Sequence, residues 1–243
     1  MAALMGKKVV IIGGSSGIGL GVAEAAVERG AELVMVGRSL ERLAAAKASL
    51  GPQANVETIS ADMTNEAEIA RLFEEVGPFD HLAATAGSPP PGSPIREINI
   101  AEVRAFVDNK LLGAILMAKY ASRTLKTGGS ITFTSGINKD RPPVPGGAVV
   151  SAIAGSFSYF IRALALELAP MRVNVVSPGW VDTPMFEQLA GIMKSELFET
   201  MAAQLPAGKI ATPADISPAY VYAMESEFTT GQTIDIDGGQ SLI

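Results

Sequence analysis

A single α/β domain built on a doubly wound parallel sheet is the fold class the sequence predicts, and three observations predict it. Short runs rich in β-branched residues alternate with helix-spaced segments from one end of the chain to the other. The first apolar run, Val9 to Ile12, leads straight into a glycine-rich turn, Gly13-Gly14-Ser15-Ser16-Gly17-Ile18-Gly19, and then into helical spacing. The 243 residues are 48% hydrophobic and 18% charged, enough for one large core, and the glycines and prolines are spread without the cluster that would mark a linker.

The elements follow in order. After the first helix, with Leu20, Ala23 and Val27 on its apolar stripe, Glu32 to Val36 is a second strand and Leu40 to Leu50 a helix closed by Gly51-Pro52. Val56 to Ser60 is a third strand, and Thr64 can cap the helix from Glu66 to Val76. Phe79 to Ala84 forms the fourth strand, and a proline-rich loop, SPPPGSPIRE, follows it. A long helix spans Ala101 to Leu125 and breaks at Thr127-Gly128-Gly129. Ser130 to Ser135 is the fifth strand, Ala148 to Leu168 a second long helix, and Val173 to Ser177 the sixth strand. Met185 to Leu205 reads as two short helices within a lid over residues 184–208, Pro213 to Met224 as the last helix, and Thr233 to Ile236 as the last strand.

The glycine turn carries the first functional expectation. Strand, glycine turn and helix form a cradle in which a pyrophosphate can approach the free N–H groups of the helix start, because glycine lets the backbone double back. With the next strand where a βαβ unit needs it, the sheet is expected to be of the Rossmann type and to bind a dinucleotide. A net charge of −6 argues against nucleic acid and against an anionic membrane surface. No cysteine is present, so disulfides, thiolate catalysis and thiolate metal sites are excluded. The one histidine, His81, cannot make a metal cluster and reads as a structural residue at the start of a strand. MAALMGKK is too short for a signal peptide and no apolar run approaches the roughly 20 residues of a membrane span. A cytoplasmic protein is expected.

These residues resemble the short-chain dehydrogenase/reductase family over nearly the whole chain. The likeness rests on IGGSSGIG, on Asp62 after the third strand, on TAG after the fourth, on SPGWVDTP after the sixth and on IDIDGG near the end. The resemblance implies that Gly13, Gly17 and Gly19 hold the pyrophosphate turn, with Ile18 between them. It implies further that Asp62 and Met63 contact adenine, that Ala86 and Gly87 contact ribose, and that the stretch from Pro178 through Gly179 and Val181 to Thr183 contacts the nicotinamide carboxamide. Members of the family are usually tetramers paired through the two long helices and the last strand, so a homotetramer or homodimer is expected. The helix Ala148 to Leu168 agrees, being apolar or small nearly all round.

Cofactor choice follows from charge. An acidic residue ending the second strand pairs with the ribose hydroxyls of NAD and repels a 2′-phosphate. Here Gly37 stands at that place, followed by Arg38, whose planar fork suits a phosphate, with Ser15, Ser16 and Ser39 as hydroxyl donors. Taken alone Arg38 is a solvated charge at a helix start; in this setting it predicts NADP(H).

The catalytic positions depart from the family. Its chemistry rests on Asn, Ser, Tyr and Lys, with Tyr and Lys four apart on the helix after the fifth strand. In this chain Val150 aligns with the Tyr, Ala154 with the Lys and Lys110 with the Asn, while Gly136 takes the usual serine place and Ser135 precedes it. Tyr159 lies nine positions past Val150, on the opposite helix face and roughly 13 Å along the axis. Lys139 and Arg141, in the loop over the site, read as solvated charges. Two readings stay open. In one, the chain is an NADP-dependent oxidoreductase acting on a carbonyl or alcohol, with Lys110 entering the space left by Ala154 and with Ser135 beside it as the second catalytic candidate. A lysine reaches about 6 Å from its Cα, enough to cross between packed helices. In the other, the chain binds NADP(H) without reducing anything, as a sensor or structural subunit. Lys110 by itself reads as a surface lysine, although Leu111, Leu112 and Ile115 suggest a packed helix. The lid's Met185, Phe186, Leu189, Met193, Leu197, Phe198 and Met201 favour an apolar small-molecule substrate, and serve a subunit interface equally well.

Overall fold

The computed structural model describes residues 4–243; the first three residues of the N-terminal stretch considered above for a leader lie outside the described residues. Seven strands, β1 (Lys8–Ile12), β2 (Glu32–Gly37), β3 (Val56–Ser60), β4 (Phe79–Ala84), β5 (Leu125–Thr134), β6 (Arg172–Pro178) and β7 (Thr233–Ile236), form one sheet in the order β3-β2-β1-β4-β5-β6-β7. Every pairing is parallel. The order reverses between β1 and β4, and in such sheets the crevice beyond the strand ends at the reversal is where ligands bind.

The central strands are buried along their length, as expected of β-branched runs covered on both faces. On one face α1 (Gly17–Val27), α2 (Leu40–Ser49) and α9 (Pro213–Glu225) enclose Val9, Ile11, Met35 and Tyr220. On the other, α3 (Glu66–Val76), α5 (Gly113–Ala121) and α6 (Gly147–Glu167) enclose Val10, Phe73, Leu82 and Phe133, while α4 (Ile100–Val107) precedes α5 in the chain. Asn65, not Thr64, caps α3, its side chain accepting from the N–H groups of Ala67 and Glu68; Thr64 instead donates to Asp62. The pair α7 (Pro184–Ala190) and α8 (Lys194–Gln204) makes up the segment expected to be a lid.

Three expectations need correction. The long helix from Ala101 to Leu125 is two α-helices, α4 and α5, joined by a π-turn over Asp108–Leu112, and it ends at Ala121 because β5 begins at Leu125. Leu112 and Ile115, read as packed, are 46% and 41% exposed; the π-turn directs them outward and Lys110 inward. Among the described residues one helix, α6, is long and apolar enough to cross a membrane by length and composition, against the expectation of none. Its inner face packs on the sheet through Phe157 and Phe160, whose ring centroids lie 6.1 and 5.7 Å from that of Phe133. Its outer face leaves Tyr159 and Leu166 exposed.

His81 sits inside β4, where its Nδ1 and the Ser130 hydroxyl lie 2.9 Å apart. Burial lowers its pKa to about 4, so the ring is neutral at physiological pH.

Candidate active site and dinucleotide groove

A groove of about 400 Å³ opens at the carboxyl ends of β1, β2, β3 and β4, a volume within the usual range of small-molecule sites. The glycine turn makes its floor. Gly13 has φ +88°, and a Cβ there would stand 2.7 Å from the Ala86 nitrogen; at Gly19 a Cβ would stand 2.2 Å from the Gly13 carbonyl. Only glycine lets α1 start this close to β1 and β4. The Thr85 hydroxyl bonds the Ile12 carbonyl at 2.9 Å and fixes β4 against the turn.

Most of the residues picked out in the sequence meet in this groove: Gly13, Ser15, Ser16, Gly17, Ile18, Gly19, Arg38, Ser39, Asp62, Met63, Ala86, Gly87 and Thr183 all line it. The Thr64 backbone N–H, together with the Thr64 hydroxyl, holds the Asp62 carboxyl below its ordinary pKa. Ser39 caps α2, accepting from the Arg42 N–H. Arg42, which the sequence reading passed over, also lines the groove and donates from its guanidinium to Ser16 Oγ at 3.2 Å. Its signal was available, since a second arginine stands in the first turn of the helix that follows Arg38. Thr85 and Asn109 were passed over as well.

Five picked residues stand outside the lining. Pro178 is buried at the end of β6, and the Gly179 N–H is bonded to the Ile236 carbonyl. Val181 is buried in the core and bridges to Ala211. Lys110 reaches beneath the groove, its Nζ donating to the Thr134 carbonyl at 3.3 Å and lying against Gly87. Burial lowers its pKa to about 8. The Ser135 hydroxyl donates to the Ala154 carbonyl at 2.8 Å.

Val150 and Ala154 are both buried, so α6 offers no proton-transfer group at either position. Gly136 is extended at φ −178°, and a Cβ there would meet nothing closer than 4.0 Å, so the backbone does not itself demand glycine. Tyr159 is 75% exposed. Lys139 corrects the sequence reading: far from solvated, it is paired with Asp140 and with Asp235 and its side chain is 10% exposed. Arg141 is exposed. The lid is pinned from below by Trp180, Phe186 and Phe198, with ring centroids 5.0 to 6.4 Å apart. Lys194 bridges Asp182 at 2.6 Å and Glu187 at 3.5 Å.

A parallel sheet with this strand order and a glycine cradle at its reversal defines a nucleotide-binding protein of the Rossmann type. Residues 13–241 match the family model described as enoyl-(acyl carrier protein) reductase. A short-chain dehydrogenase/reductase of Stachybotrys chlorohalonatus is 33% identical across the whole of both chains, and the human 3-oxoacyl-[acyl-carrier-protein] reductase is 33% identical over 98% of this chain and all of its own. Among solved structures, the MalC reductase/Diels-Alderase of Malbranchea aurantiaca superposes with a TM-score of 0.92 at 29% identity, covering 100% of this chain and 99% of its own. A small-chain dehydrogenase in complex with NADPH superposes with a TM-score of 0.82 at 32% identity, covering 98% and 100%. The chain belongs to the short-chain dehydrogenase/reductase family of oxidoreductases, which use NAD(P)(H).

Proposed function

We propose that the chain is an NADP(H)-dependent oxidoreductase of a small, largely apolar carbonyl or alcohol, with Lys110 replacing the helix lysine of its relatives. The observation that carries this reading is the inward turn of Lys110, which sets a cation against Gly87 at the Thr134 carbonyl, in a chain whose α6 carries none at Ala154. When bound, the dinucleotide supplies the hydride. The glycine turn would hold its pyrophosphate and Arg38 and Arg42 its 2′-phosphate. Lys110 Nζ would hold the ribose hydroxyls and, at a pKa of about 8, can exchange a proton near neutral pH. Ser135 orients α6 by holding the Ala154 carbonyl. Because Phe186 and Phe198 are engaged with Trp180, the lid side chains left for an apolar substrate are Met185, Leu189, Met193, Leu197 and Met201.

Direct titration tests the cofactor. NADPH should bind at least about tenfold tighter than NADH, since a charged hydrogen bond contributes about 1.5–3 kcal/mol. Arg38→Ala should remove most of that difference, and equal affinities in the unaltered protein would defeat the reading. A screen of ketones, aldehydes and quinones completes the test. Tight NADPH binding with no oxidation of it by any of them would favour the non-catalytic alternative.

The same reading includes assembly into a homodimer or homotetramer. Leu112 and Ile115 beside the π-turn, and Tyr159 and Leu166 on α6, expose apolar surface that a second copy would cover. Sedimentation at micromolar concentration should give at least twice the 25.2 kDa chain mass; a monomer would contradict this part.

A further inference from the structure

Tyr220 is a buried titratable group that the dinucleotide reading leaves without a task. It stands on α9, fully enclosed, on the face of the sheet opposite α5. Its hydroxyl lies 2.6 Å from Thr134 Oγ1, and Thr134 Oγ1 in turn donates to the Ala84 carbonyl at 2.7 Å. A carbonyl oxygen only accepts, so the threonine proton is committed to Ala84 and the phenol is the donor to Thr134. Burial pushes the Tyr220 pKa well above its ordinary value, which keeps that proton in place.

This chain of bonds ends at Lys110. Thr134 is the last residue of β5, and its own carbonyl accepts from Lys110 Nζ at 3.3 Å. Ala84 is the last residue of β4, three before Gly87, against which the same Nζ lies. Both places that seat the ammonium therefore hang from strand ends that the Thr134 hydroxyl ties together. A β-branched side chain has few χ1 options, so holding Oγ1 from two sides also holds the backbone of Thr134. Its carbonyl stays aimed at Lys110, and the spacing of the β4 and β5 ends stays fixed. We propose that Tyr220 is a positioning residue for Lys110, acting through Thr134 from the far face of the sheet. This inference rests on the Lys110 reading above and deepens it.

The test reads NADPH affinity by calorimetry in single and paired variants. Tyr220→Phe keeps the ring and removes the donor, and should weaken binding about threefold to tenfold, the range one neutral hydrogen bond covers. In a Lys110→Met background the same change should alter affinity by less than about twofold, because the group it positions is gone. Thr134→Val should reproduce the loss, and Thr134→Ser, which keeps the hydroxyl and sacrifices a methyl group, should recover most of it. A packing role predicts the reverse order, since valine preserves the volume and serine does not. This order decides alone if Tyr220→Phe fails to fold or Lys110→Met binds too weakly to titrate. Equal losses in both backgrounds, no loss when Lys110 is present, or serine no better than valine overturns the inference and leaves the lysine reading intact. A Lys110→Met protein that binds NADPH as tightly as the unaltered one overturns the lysine reading, and this inference with it.

Discussion

Replacing Lys110 with methionine is expected to stabilise the cofactor-free protein while disabling its cofactor site. The ammonium is desolvated, and its pKa is held at about 8 against an ordinary value of 10.5. Below pH 8 both folded and unfolded chains carry the proton, and the folded state bears the full cost of burying it. Between about pH 8 and 10.5 the unfolded chain binds more protons than the folded one, so the stability of the unaltered protein rises with pH. Methionine has a similar length and no charge, so at pH 7 the variant should gain about 1–3 kcal/mol in unfolding free energy. That gain should fade as the pH approaches 10.5. NADPH affinity should fall at least about tenfold, with turnover falling alongside it. Denaturant melts at pH 7 and pH 10 read the first effect and a binding titration the second. An unchanged melt at pH 7 would mean the ammonium is solvated, and unchanged affinity would remove Lys110 from the site.

Gly19→Ala should have the largest effect on the groove. The added Cβ would lie 2.2 Å from the Gly13 carbonyl oxygen and 2.5 Å from Thr85 Oγ1. The first of these contacts is with backbone at the end of β1, which cannot rotate away. To relieve it, α1 must move off the sheet, and its leading N–H groups leave the place a pyrophosphate needs. A loss of about 1–3 kcal/mol in stability is expected from the overpacking. NADPH affinity should fall by about a hundredfold or more, corresponding to roughly 2.7 kcal/mol or more. Affinity within threefold of the unaltered protein would mean the turn tolerates a side chain and is not a phosphate cradle.

Much of this architecture was legible because it is written in local periodicity. Runs such as Val9–Ile12 and Val173–Ser177 are continuous β-branched stretches, and parallel strands covered on both faces require that pattern. The glycine turn was legible for a related reason, since so short a passage from strand to helix leaves few alternatives. The π-turn was not. It depends on one extra backbone residue per turn, which leaves no trace in composition, and around it Lys110 faces inward while Leu112 and Ile115 face outward. Lys139 was misread because its partner Asp235 lies 96 positions away on β7 and meets it only in the folded chain. Arg172 shows the same limit. Its guanidinium binds the carbonyls of Ala223 and Met224 at the end of α9, a partnership no spacing rule announces.

The aromatic clasp beneath the lid has a practical corollary. Trp180 is the chain's sole tryptophan, so the protein's indole emission comes from one ring, wedged between Phe186 of α7 and Phe198 of α8. Any displacement of these two helices changes the polarity around that ring, whereas rearrangements on the far side of the sheet leave it untouched. The molecule thus carries an intrinsic optical gauge of the position of α7 and α8, readable without labelling.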